Sequence, residues 1–235
     1  MFFASFINSS YNLVSMPKKA TTKKEDLVKK ESTKKPSKKK KQDVVENNLE
    51  VVDNATKKNK KTAIKAVFTQ DRVLTEPTDS AQDLYHSAGY GIILEDGVVQ
   101  LSLSEALYLY DKKKIVIHDG RNKIIDKEKF IKKASKLESK FWVRYIVFKD
   151  MRNRGYIIKT ALKFGADFRV YDRGVKPGED HARWIVYPVH EGEKFTWFDF
   201  AAKNRVAHST KKHLMMGVVD DENDVTYWEA KWIRP

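Results

Sequence analysis

Six histidines, at positions 86, 118, 181, 190, 208 and 213, are the first residues to test for chemistry. They form no H-x-x-x-H or H-E-x-x-H pattern, and no paired carboxylates flank a strand end as a metal nuclease would need. Asp220, Asp221, Glu222 and Asp224 cluster without the glycine and glutamate spacing of a calcium loop, so a solvated turn and a charged docking loop both fit them. No glycine-rich loop is built to cradle a phosphate. Cysteine is absent, which removes thiolate zinc sites, disulfides and cysteine nucleophiles. What remains is a set of polar side chains at strand and loop junctions. Tyr171 ends a strand before a loop rich in Gly, Lys and Pro, His181 follows that loop, and Lys212 precedes an apolar strand. Such groups can supply a base, an acid and a cation. A tyrosine at a strand end or a histidine in a loop is most often structural, so type alone does not select these from ten tyrosines and six histidines.

The elements that must position them follow from periodicity. Ile64, Ala66 and Phe68 alternate with polar neighbours and predict a strand. Residues 90–94 and 98–101 read as strands joined at Asp96-Gly97, a hairpin turn. Ser102 and Glu105 have the spacing of a capping box, opening a helix that ends near Asp111. Residues 115–118 predict a strand. Asp126 can cap a longer helix in which Phe130, Ala134, Leu137, Phe141 and Tyr145 make one core stripe. Residues 156–164 are expected to be helical, with Gly165 as the stop. Residues 168–171, 182–189, 214–219 and 225–233 read as strands, with a short helix around Asp199. The continuous apolar run at 214–219 suits an interior strand buried on both faces. The fold class expected is α+β or α/β in two small domains, 63–138 and 139–235, joined near residues 135–145.

The residues between these elements carry a resemblance. The segment Arg154-Gly-Tyr-Ile-Ile-Lys-Thr-Ala-Leu-Lys-Phe-Gly-Ala-Asp-Phe-Arg-Val-Tyr-Asp-Arg-Gly174 resembles the central block of the archaeal tRNA-intron endonucleases. So do Arg205-Val-Ala-His-Ser-Thr-Lys-Lys212 and Met216-Gly-Val-Val-Asp-Asp-Glu-Asn-Asp-Val-Thr-Tyr-Trp-Glu229. Leu101-Ser-Leu-Ser-Glu-Ala-Leu-Tyr-Leu109 is similar to the family's N-terminal-domain helix, so the likeness reaches back to about Ala63. It implies an N-terminal mixed α/β domain and a C-terminal catalytic domain with a central mixed sheet flanked by helices. It implies a catalytic Tyr171, His181 and Lys212. The family usually has Arg before the catalytic lysine and Lys after it, whereas Lys211 and His213 stand here, which leaves Lys211 as the alternative to Lys212. The same spacing makes His208 a structural or substrate-side residue.

RNA carries its own nucleophile, the 2′-OH. On the resemblance, Tyr171 is the expected base and Lys212 the cation facing the scissile phosphate. An unperturbed tyrosine titrates near pH ~10, so it needs a neighbouring cation to favour its phenolate. His181 is the expected acid, histidine being the side chain that ordinarily titrates near neutrality. The products would be a 2′,3′-cyclic phosphate and a 5′-hydroxyl, with no cofactor and no metal. The substrate implied is precursor tRNA at a bulge–helix–bulge, with the flipped base held between Arg205 and Trp232 by stacking and cation–π attraction. Trp228 is the rival aromatic. Partners implied are further subunits, as a homotetramer or as a heterotetramer with a structural subunit. Residues 225–233 would be an edge strand at the interface, and the acidic turn would dock in a basic pocket of a neighbouring subunit. A non-catalytic RNA-binding subunit and a metal-dependent nuclease are the competing readings.

Composition bounds the rest. The net charge is +14, but residues 17–62 hold sixteen Lys, no Arg and seven acids, about +9 in all, so the remainder is only mildly basic. That Lys-rich stretch has no aromatic residue, and a disordered tail over residues 1–62 is expected. Residues 1–15 look faintly like a signal sequence, yet they lack a positive start and are interrupted by Asn8, Ser9, Ser10 and Asn12. Met16-Pro17 reads as the true start. No apolar run approaches the ~18 residues of a membrane span, so a soluble cytoplasmic protein is expected.

Overall fold

A computed structural model describes residues 63–233. The tail expected over residues 1–62 and the start expected at Met16 lie outside the described residues. The first half runs β1 (Ile64–Thr69), β2 (Arg72–Thr75), α1 (Asp79–His86), β3 (Ile92–Ile93), β4 (Val99–Leu101), α2 (Leu103–Asp111), β5 (Ile115–His118) and α3 (Lys127–Leu137). Its strands form one sheet in the order β3-β4-β2-β1-β5, parallel only between β1 and β5. The second half runs α4 (Phe141–Asn153), β6 (Ile157–Ala161), β7 (Ala166–Tyr171), β8 (Trp184–His190), α5 (Trp197–Ser209), β9 (His213–Val219) and β10 (Val225–Ala230). These strands make a second sheet, β10-β9-β8-β7-β6, in which only β8 and β9 are parallel, with α5 as their crossover. Mixed sheets with flanking helices make this an α+β fold.

The capping box at the start of α2 is present. Ser102 Oγ accepts the Glu105 N–H at 3.3 Å, and the Glu105 carboxylate accepts the Ser102 N–H at 3.0 Å. Glu105 also accepts from the Gly91 N–H and pairs with Lys159 of β6 at 3.3 Å, so one buried carboxylate ties the two halves together. A hydrophobic core runs without a break from Ala66 in β1, through Tyr108, Phe148 and Phe168, to Val219 in β9. A smaller cluster lies between α5 and the other face of the second sheet, around Ile185, Tyr187, Ala207 and Leu214. β8 is accordingly buried on both faces, whereas β9, expected to be buried on both, buries Met215, Gly217 and Val219 on one face and leaves Met216 and Val218 partly exposed on the other. Gly217 of β9 permits the close approach of α4: a Cβ there would lie 3.1 Å from Val147 Cγ2.

Several elements differ from expectation. Residues 156–164 are not a helix: Ile157–Ala161 is strand β6, followed by a single 3-10 turn, Leu162–Phe164. β-Branched Ile157, Ile158 and Thr160 favour the pleated conformation, and β7 supplies an antiparallel partner along the whole strand. Gly165 still makes the stop, at φ +66°. The core stripe belongs to two helices, because Glu138 is extended (φ −124°, ψ 108°) and breaks the chain between α3 and α4. Phe130, Ala134, Phe141 and Tyr145 are buried, whereas Leu137 at the break is 49% exposed. The helix around Asp199 is longer than expected, with Thr196 and Asp199 forming its capping box. β2 and α1 were not anticipated, and β3 and β10 are shorter than their apolar runs.

Candidate active site

β7 ends on Tyr171, which is 4% exposed. The next eleven residues loop out and return at Arg183, whose N–H donates to the Val170 carbonyl at 2.9 Å. Gly174 (φ +84°) and Gly178 (φ +102°) take the left-handed turns this loop requires. The loop is pinned by its own acids: Glu179 accepts the Lys176 N–H at 2.9 Å and Asp180 accepts the His181 N–H at 2.6 Å. His181 thereby stands at the exposed rim, just before β8. β9 starts beside β8, with the His213 N–H donating to the Arg183 carbonyl at 2.9 Å. Because β7 runs into this end and β8 and β9 both leave from it, their junctions meet there.

Lys212 is delivered by the end of α5. The Lys211 N–H donates to the His208 carbonyl at 3.0 Å, and the Lys212 N–H to the Ala207 carbonyl at 2.9 Å. Lys211 adopts φ +54°, and the reversal sends the following side chain to the strand ends. Lys212 Nζ donates to the Thr210 carbonyl at 2.9 Å.

Tyr171, His181 and Lys212 line one cavity of about 370 Å³, together with Arg169 and the loop residues Gly178 to Ala182. Lys211 does not line it. Arg169 went unnoticed in the sequence. It shares a strand face with Tyr171, two residues on, and its guanidinium lies 5.8 Å from the Tyr171 ring centroid. Its Nε is buried without a hydrogen-bond partner among the described residues. Period-two spacing on β7 was the available signal. The cavity thus presents a phenol, an imidazole and two cations, with Glu179 and Asp180 at its mouth. Among the described residues no three His, Asp or Glu side chains converge as a metal site would need.

Arg205 and Trp232 lie outside the cavity lining. Arg205 is exposed on α5, and Trp232, 53% exposed beyond β10, meets the ring of His208 at 5.2 Å. Trp228 is 52% exposed on β10.

Comparison with known proteins gives both halves of the chain the same family. Residues 64–131 match the model of the tRNA intron endonuclease N-terminal domain, and residues 141–227 that of its catalytic C-terminal domain. A tRNA-splicing endonuclease of Nanoarchaeum equitans is 42% identical over 153 residues, covering 63% of this chain and 96% of that protein. One from Thermococcus onnurineus is 38% identical over 174 residues, covering 74% and 99%. One from Methanothermobacter thermautotrophicus is 40% identical over 166 residues, covering 70% and 95%. The chain belongs to the tRNA intron endonuclease family. Tyr171, His181, Lys212, Arg205 and His208 all fall within the catalytic-domain match, while Trp232 lies beyond it. Among the described residues no helix is long and apolar enough to cross a membrane.

Proposed function

We propose that this endonuclease cuts precursor tRNA at the intron–exon junctions of a bulge–helix–bulge, leaving 2′,3′-cyclic phosphate and 5′-hydroxyl ends without a metal. The observation that carries this reading is the convergence of Tyr171, His181 and Lys212 on one cavity. Tyr171 takes the proton of the 2′-OH, and the freed oxygen attacks the adjacent phosphorus. A P–O2′ bond forms as the P–O5′ bond breaks, and His181 returns a proton to the departing 5′-oxygen. Lys212 faces the non-bridging oxygens as charge builds on them. Arg205 and Trp232 hold the unpaired base. Residues 63–138 and 139–235 serve as the N-terminal and catalytic domains.

Two sites need a fixed separation, so the working form is a tetramer, of this chain alone or with a structural subunit, in the cytoplasm. Two surfaces support assembly. β10 is the open edge of its sheet. For the acidic turn between β9 and β10, the candidate dock on a neighbouring copy is a second cavity of about 290 Å³ that carries Arg152 and Lys176 beside Tyr90 and Tyr156.

One preparation tests the reading. The purified chain, its mass measured, is assayed on a bulge–helix–bulge RNA in excess EDTA beside His181→Ala and Lys212→Ala. Full cutting by the parent as a tetramer, and a loss of about a hundredfold or more in each variant, is expected. A parent active only with added metal would favour a metal nuclease, and one inactive in both conditions a structural subunit. A variant cutting at the parental rate would remove that residue from the mechanism.

A further inference from the structure

The ring contact between His208 and Trp232 lies outside the cavity and is not used by the mechanism above. α5 carries Arg205 and His208 on successive turns, both exposed, and residues spaced by three share a helix face. Trp232 stands two residues past the end of β10. A half-exposed indole off the end of a sheet would sample many rotamers unless something met it. Two contacts restrict this one. His213, at the start of β9, contacts the Glu229 carboxylate and so secures β10 three residues before the indole. His208 then meets the indole itself, at 5.2 Å between centroids and a tilt of 42°.

The same helix end sets the catalytic cation. The carbonyls of Ala207 and His208 accept the N–H groups of Lys212 and Lys211 that turn the chain into the cavity. His208 therefore sits on the backbone turn that fixes Lys212, and Trp232 is registered to that turn through the imidazole.

We propose that His208 is a positioning residue for RNA. Its ring holds Trp232 as a pre-set stacking face, with Arg205 one turn away, for an unpaired nucleobase beside the scissile phosphate. The proposal rests on the RNA-cleavage reading. Ordering the indole before RNA arrives leaves more of the stacking energy for the base.

The test uses the full chain and two bulged RNAs, one cleavable and one with a 2′-deoxy nucleotide at the cut, beside a fully paired control. His208→Ala should weaken binding of the uncleavable bulged RNA and raise KM for the cleavable one, each by about tenfold. The saturated single-turnover rate should fall far less, and binding of the paired control should not change. Alanine favours the helix, so α5 is not weakened by the change. His208→Phe, which keeps a ring, should restore most of the binding. Trp232→Ala should lose at least as much, and the double variant no more than Trp232→Ala alone. Unchanged bulged-RNA binding in His208→Ala, fully additive losses, or a loss confined to the saturated rate would each overturn the proposal. A parent that binds the bulged RNA but cuts neither defeats the cleavage reading and leaves the positioning role to be decided by binding. A parent that binds no bulged RNA defeats both.

Discussion

Lys211 holds φ +54°, a region where a side chain costs roughly 1–2 kcal/mol and glycine costs nothing steric. Its side chain does not line the cavity, so the residue serves the turn. Lys211→Gly should therefore keep parental cleavage and gain about 1 kcal/mol, a rise in Tm of about 3 °C by calorimetry. Loss of cleavage in that variant would move the catalytic assignment from Lys212 to Lys211. The neighbouring lysines show how far residue-level reading reaches. Family spacing selected Tyr171, His181 and Lys212, which line one cavity. The strand expected over residues 168–171 already puts Arg169 on the face of Tyr171; that this face opens on a cavity depends on the path of the loop after β7, which no local pattern encodes. The link from Trp232 to His208 joins a strand end to a helix end, a register that no local pattern encodes.

Among the elements, the join between α2 and β6 depends on buried charge. Burial disfavours the Glu105 carboxylate, but the Lys159 ammonium and the Gly91 and Ser102 N–H groups overcome it and hold the carboxyl below its usual range. At Lys159 burial outweighs the attraction of Glu105, and the ammonium titrates below its usual value. The two shifts act with opposite sign. A lowered carboxyl stabilises the fold above its unfolded pKa of about 4.3, and that contribution is lost as pH falls through the folded value. A lowered ammonium costs stability while protonated, a cost relieved as pH rises from the folded value toward about 10. Acid titration therefore separates Glu105 from Lys159, and comparison with a Lys159 variant separates it from the other lowered carboxyls, Asp71, Asp119, Asp126 and Asp199. Lys159→Met should raise the pH midpoint of acid unfolding and cost about 3–5 kcal/mol at neutral pH in denaturant titrations. An unmoved acid midpoint would show that Lys159 does not hold Glu105 ionised. The capping box of Glu105 was legible because its spacing is local. Strand β6 was not, since residues 156–164 carry apolar spacings that suit a helix until β7 is present to pair with them. The break between α3 and α4 was hidden for a related reason: the apolar spacing continues through it.

At the scale of the whole molecule, charge is partitioned. Of the net +14, about +9 belongs to residues 17–62 and the smaller remainder to the residues that build the cavity. A chain lacking residues 1–62 should bind RNA more weakly at low salt, with a shallower dependence of log K on log salt, and should keep its cleavage specificity. Equal salt slopes with and without these residues would show that they do not contact the phosphates. The order in which the cavity is made follows from its strands. Tyr171 and His181 come from β7 and the loop after it, whereas Lys212 waits for α5 to cross and for β9 to dock beside β8. A growing chain thus carries the phenol and the imidazole before the lysine that joins them in the cavity. On the proposed reading, the cutting site is therefore not complete until nearly the whole chain has been made and β9 has docked beside β8.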